Sequence, residues 1–274
     1  MNKQIPLTGS SNLILFYEQG TDPGYVRDLA QKLNLPVTSD CSEAQAHGIF
    51  LQLDQEGLAL AGNGQLLRAD LTHMLPRLRQ DNLNRELLVR AAKLKHFTGT
   101  PSAVDATAGF GEDALLLAAA GFSVTLFERD PVIAALLGDS LRRAASVPEL
   151  SAVVSRMKLV EGDSIQALSR GDTGVDTSPV LSRMGIQPDV VLLDPMFPAR
   201  QKSALVKKKF QLLHFLEPPC SDEEALLQAA ISARPRRIVI KRPVKGPFLC
   251  GKKPSFSLSG KAVRYDVLVY APEG

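Results

Sequence analysis

Two short runs in this chain carry residue types that could do chemistry. The first is Val104-Asp-Ala-Thr-Ala-Gly-Phe-Gly-Glu-Asp-Ala114. An apolar stretch runs into Asp105, then Gly109 and Gly111, and two acids follow, Glu112 and Asp113. Glycine lets the backbone turn sharply and lets a ligand approach main-chain N–H groups with no Cβ in the way. The second run is Val190-Val-Leu-Leu-Asp-Pro-Met-Phe-Pro198. An aryl amine is a poor nucleophile, because its lone pair is delocalised into the ring. A carboxylate at Asp194 and a backbone carbonyl near Pro195 could accept its N–H bonds and return electron density to nitrogen. Phe197 would offer a face on which a flipped base stacks. Asp194, Pro195 and Phe197 are the catalytic candidates.

Acids elsewhere extend the first run into a cofactor site. Glu128 ends the stretch Val124-Thr-Leu-Phe-Glu128, and Asp163 follows Leu159-Val-Glu-Gly162. In an open parallel sheet such positions converge on the crevice at the strands' carboxyl ends, where a carboxylate can hold ribose hydroxyls. The competing role for a single Asp there, Asp163 above all, is a helix N-cap. Glu112 and Asp113 would repel the pyrophosphate of a nicotinamide dinucleotide, although Ala114 in the third glycine's place does not exclude one. S-adenosylmethionine carries a sulfonium and an ammonium and no phosphate, so it suits these acids. Asp105, Gly109, Gly111, Glu128 and Asp163 are its candidate contacts.

The elements that must position these residues are legible in the periodicity. Strands are expected at 102–106, 123–128, 157–160, 189–193, 237–240 and 264–270, the last antiparallel. Helices are expected at 113–120, 131–145 and 223–233. Strands alternating with helices imply a doubly wound, mostly parallel sheet. Residues 1–98 read as a small N-terminal α/β subdomain and 99–274 as the catalytic domain. The subdomain has a strand at 12–17, a helix from Pro23 to Leu33 capped by Asp22, and a hairpin of 48–53 with 57–61. A third strand at 65–71 and a helix at 84–94 complete it. Residues 171–188 lack periodicity and read as a loop.

With 45% hydrophobic and 22% charged residues, the chain can build an ordinary core without a metal or disulfide staple. Cys41, Cys220 and Cys250 form no close pair, and the four histidines show no ligand spacing, so no metal is expected. There is no apolar run long enough for a membrane span and no signal-like start, which points to a cytoplasmic protein.

Together the runs resemble the ribosomal RNA small subunit methyltransferase J family. The resemblance rests on residues 105–114, on Glu128-Arg-Asp-Pro-Val-Ile-Ala-Ala-Leu-Leu137, on Leu193-Asp-Pro-Met-Phe-Pro198 and on Gln201-Lys-Ser-Ala-Leu-Val-Lys-Lys208. It also includes Val239-Ile-Lys-Arg-Pro243 and Arg264-Tyr-Asp266. It implies a Rossmann-like class I methyltransferase sheet. It also implies methyl transfer from S-adenosylmethionine to guanine N2 in small-subunit (16S) ribosomal RNA, naked or in the assembling subunit. Cofactor contacts are implied at Glu112, Asp113, Glu128, Arg129, Asp163, Ser164 and Asp194. Upstream the family's basic Gly-rich stretch is replaced by Leu75-Pro-Arg-Leu-Arg-Gln-Asp-Asn-Leu-Asn-Arg85, which has no glycine. Lys202, Lys207, Lys208, Lys241 and Arg242 are the candidates for holding RNA phosphates. Residue types alone leave adenine N6 open beside guanine N2. They also leave a nicotinamide-dependent oxidoreductase and a non-catalytic RNA-binding module as readings from other classes.

Overall fold

The computed structural model describes residues 13–169, 181, 185–195 and 222–270. Two compact units contain them. One takes the chain up to Asp70 together with Asp130–Arg143. The other begins at Leu71, runs to Arg129, resumes at Ala144 and includes the remaining described residues.

The first unit opens with β1 (Leu15–Tyr17), α1 (Pro23–Leu33), β2 (Val37–Thr38), α2 (Cys41–Ala46), β3 (Ile49–Asp54), β4 (Gly57–Gly62) and β5 (Gln65–Leu67). Its five-stranded sheet has the order β2-β1-β3-β4-β5. β1 is parallel to both neighbours, and β3, β4 and β5 are antiparallel in turn. α1 starts as its cap predicts: the Asp22 carboxylate accepts the Gly24 N–H at 2.9 Å. The β3–β4 turn closes because Asp54 accepts the Glu56 N–H at 2.8 Å and Gly57 takes φ +112°. The core gathers Ile14, Phe16, Ala44, Phe50 and Ala61.

From Leu71 the chain forms a 3-10 turn (Thr72–Met74), α3 (Leu75–Leu78), α4 (Gln80–Leu83) and α5 (Leu87–Ala92). Then come β6 (Ser102–Asp105), α6 (Glu112–Ala119), β7 (Ser123–Glu128), α7 (Pro131–Ala144), α8 (Pro148–Val154), β8 (Met157–Glu161) and α9 (Ser164–Leu168). After these come β9 (Val190–Leu193), α10 (Glu223–Ser232), β10 (Arg237–Pro243), β11 (Phe256–Ser259) and β12 (Val263–Val269). α5 is shorter than the helix expected at 84–94, because Glu86 and Lys93 both leave helical dihedrals. Most of the loop expected at 171–188 lies outside the described residues.

The seven-stranded sheet has the order β11-β12-β10-β9-β6-β7-β8. β10, β9, β6, β7 and β8 run parallel, and β12 is antiparallel to both β10 and β11. This is the Rossmann-like class I methyltransferase sheet, with the last strand reversed as expected. Successive strands leave β6 in one direction through β7 and β8. They leave it in the other through β9 and β10. The crevice at this reversal is where open α/β sheets bind ligands. Asp105 ends β6 and Asp194 follows β9, so the two acids flank it. Beneath, Val104, Phe127, Val191, Leu193, Ile238 and Ile240 pack into one apolar cluster with Leu226 and Leu227 of α10.

Candidate active site

The glycine run is a turn held by side chains as much as by backbone. Ala106 N–H bonds Leu192 carbonyl at 3.0 Å, which carries the β6–β9 ladder one residue past β6. The chain then folds back. The Asp105 carboxylate accepts the Thr107 N–H at 3.1 Å, and the Ala108 N–H reaches the Phe127 carbonyl at 3.1 Å. Glu128, only 5% exposed, accepts the Gly109 N–H at 3.0 Å. Gly109 and Gly111 sit at φ +52° and +77°, where a side chain is strained, and Gly111 caps α6. A Cβ built on Gly109 would meet open space, so the turn leaves room for a ligand there.

The same turn reaches the second motif. The Asp194 N–H donates to Thr107 Oγ1 at 2.7 Å, fixing the backbone where β9 ends. Lys241 of β10 then joins the motifs. Its Nζ lies 2.6 Å from Asp113 Oδ2 and 2.9 Å from Asp194 Oδ2. Tyr265 pairs with Lys241 across the β10–β12 ladder and is buried.

Electrostatics here are acid-rich. Burial pushes the Asp105 carboxyl up to about 7, with Asp113 and Asp194 adding to the rise. Burial also raises Asp194, against the pull of Lys241. The two carboxylates hold Lys241 above the ordinary lysine range despite its burial. Tyr265 is raised by burial and by the same carboxylates, and so stays neutral.

The remaining candidates fall in three groups. Glu128 and Ser164 are buried near the strand ends, Arg129 is exposed and Pro195 is buried. Asp163 caps α9, accepting the Ile165 N–H at 2.8 Å. Glu112, about half exposed, lies 3.3 Å from His73. The segment without glycine, which starts just after His73, brings its α3 against α6. Within it Arg77 makes a two-pronged bond to Glu86 at 2.7 and 2.8 Å. Phe197, Lys202, Lys207 and Lys208 lie outside the described residues.

Of the two basic residues of β10 expected on an RNA surface, Arg242 is buried and Lys241 is partly buried. The head of Lys241 is taken up by two carboxylates. Arg242 is 2% exposed; its Nε donates to the Pro247 carbonyl at 2.9 Å, and Nη1 lies 3.5 Å from Glu223. Thr107 and Tyr265 were not singled out from the sequence as site residues. Thr107 lay in plain view between the strand end and the glycines; nothing local marks Tyr265. Among the described residues no group of histidines, cysteines and acids could hold a metal, and no helix is long and apolar enough to cross a membrane.

A family model described as "Putative SAM-dependent methyltransferase" matches residues 28–270. The ribosomal RNA small subunit methyltransferase J of Thioalkalivibrio sulfidiphilus is 41% identical over 247 residues, 88% of this chain and 91% of that protein. The protein of the same name from Pseudomonas aeruginosa strain UCBPP-PA14 is 38% identical over 88% of each chain. The crystal structure of a SAM-dependent methyltransferase from Neisseria gonorrhoeae matches with a TM-score of 0.70 and 30% identity, covering 95% of this chain and 96% of that one.

Proposed function

The chain belongs to the ribosomal RNA small subunit methyltransferase J family, and from that premise we propose that it methylates the exocyclic N2 amine of a guanine in small-subunit ribosomal RNA. S-adenosylmethionine is the cofactor. The residues present fit it. A turn with open space at Gly109 and the acids Asp105, Asp113 and Asp194 outnumbering Lys241 suit a cation without phosphate. When bound, the cofactor supplies a methyl group made electrophilic by its sulfonium.

One observation carries the reading of the amine chemistry. Asp194 stands at the crevice of the sheet, its backbone fixed by Thr107 and its carboxylate braced by Lys241. A carboxylate so held accepts an N–H of the substrate amine and raises electron density on nitrogen. So placed, Asp194 would aim the nitrogen lone pair at the methyl group that the bound cofactor would supply. The surplus N–H proton passes to Asp194 and on to water, so no histidine is needed. Glu128 and the glycine turn hold the cofactor, with Glu112, Asp113, Arg129 and Ser164 around it. Asp163 contributes through its position after β8. Pro195 and Phe197 shape the base pocket, and Lys202, Lys207 and Lys208 hold flanking phosphates. The partner is small-subunit ribosomal RNA or the assembling subunit, and the place of action is the cytoplasm.

The test is mass spectrometry of nucleosides from small-subunit rRNA with and without the gene. N2-methylguanosine is expected to fall when the gene is absent. Loss of a methyladenosine instead, with N2-methylguanosine unchanged, would overturn the substrate. Asp194→Ala is expected to lower methyl transfer on the order of 10²–10³-fold, as when other groups facing developing charge are removed. Its RNA affinity should stay within a fewfold of wild type. An RNA affinity that fell as far as the rate would leave Asp194 a structural residue.

A further inference from the structure

Lys241 is where the two chemical motifs meet. Its Nζ touches Asp113 in the first turn of α6 and Asp194 after β9, at 2.6 and 2.9 Å. Its side chain is three-quarters buried. A lysine held in this way commits two of its three N–H donors to carboxylates. Backbone fixation of Asp194 by Thr107 leaves the two side-chain torsions of the carboxylate free. Something must set them if one oxygen is to face an incoming amine.

We propose that Lys241 is the positioning residue of the amine subsite: it grips Asp194 Oδ2, sets the rotation of the carboxylate, keeps it ionised and leaves Oδ1 to accept the substrate N–H. The inference rests on the reading of Asp194 as the amine acceptor. Its physical basis is charge crowding. Asp105 of β6, Asp113 of α6 and Asp194 just after β9 influence one another in a buried place, and like charges there drive protons onto one of them. The other groups that act on the cluster are Tyr265 of β12, which stays neutral, Arg77 of α3 and Arg242 of β10. Lys241 is the cation in contact with both Asp113 and Asp194. Without it Asp194 would hold a proton more readily, and a carboxylic acid is a poorer acceptor for an amine.

The test follows the Asp194 carboxyl by carbon-13 NMR in the full-length protein labelled at aspartate, with Asp194→Asn to assign the signal. Lys241→Met is expected to raise the pH at which Asp194 titrates by about 1–3, and Lys241→Arg to leave it near wild type. Asp113→Asn is expected to move it the other way, because Lys241 then serves Asp194 alone. That opposite sign is not produced by loosened packing, and it keeps the inference testable if Lys241→Met fails to fold. In methyl transfer, Lys241→Met should lose kcat more at pH 6 than at pH 8.5, while the KM for S-adenosylmethionine changes less. An Asp194 titration unmoved by Lys241→Met and Asp113→Asn, or a kcat lowered equally at every pH, overturns the role of Lys241. If the Asp194 titration follows Lys241 but the wild-type protein methylates no RNA amine, the Lys241–Asp194 coupling stands and the proposed function falls.

Discussion

Asp105 is a carboxyl where a charge is costly. It is 2% exposed, takes one N–H from Thr107 and is influenced by two further acids. With its titration pushed up to about 7, the folded chain holds a proton that the unfolded chain has released by about pH 4. Stability from this group is therefore complete below the unfolded value and is lost as pH rises towards 7. Between pH 5 and pH 8 the cofactor-free protein should lose about 2–3 kcal/mol that Asp105→Asn does not lose. Urea unfolding of both proteins at the two pH values checks this, and parallel profiles would refute it. At this scale the sequence showed the acids and glycines, because each is bound to a strand end by local spacing. It hid Lys241. The residue stands among Arg234, Arg236, Arg237 and Arg242, and a run of basic residues reads as solvated surface. Neighbours on a strand point to opposite faces, and neither face of β10 is exposed at Lys241 and Arg242.

The first unit shows how an element can depend on one side chain. Asp139 on α7 is 1% exposed. It accepts the Leu58 N–H at 2.9 Å, Arg143 Nε at 2.8 Å, Arg142 Nη2 at 2.7 Å and the Tyr25 hydroxyl at 3.2 Å. Burial raises its pKa, but Arg143, the Leu58 N–H and Arg142 outweigh that and hold it below the ordinary range. Asp139→Ala would strand the buried Leu58 N–H and take the carboxylate partner from Arg143, at a cost of about 1–3 kcal/mol. Chemical denaturation measures it, and a loss under about 1 kcal/mol would mean that water replaces the carboxylate. Asp139 gave no such signal in the sequence, where it is one acid on a helix. Elements with strong local rules were legible. α1 has an Asp cap and a proline in its first turn, and the β3–β4 hairpin has a turn and alternation. β2, α2 and α8 are too short to show a period. β11 is mostly exposed and so carries no core-facing pattern.

At the scale of the molecule, alternation of strand and helix was enough to read the doubly wound sheet, since each crossover in a parallel sheet needs its own covering segment. Cofactor binding tests that reading as a whole. S-adenosylhomocysteine at a hundred times its Kd should stabilise the folded chain by about 2.7 kcal/mol, and NAD at the same concentration should not. A thermal shift with NAD alone would return the oxidoreductase reading. The order of the sheet has one more consequence, in the time course of synthesis. β12 is made after β10 and β11 yet lies between them. Until Val263–Val269 emerges from the ribosome, β10 has an open edge, and the wall of the crevice lacks Tyr265. Released chains truncated before residue 263 should therefore be sensitive to protease around β10 and unable to retain S-adenosylhomocysteine. Chains that extend through β12 should gain both protections together.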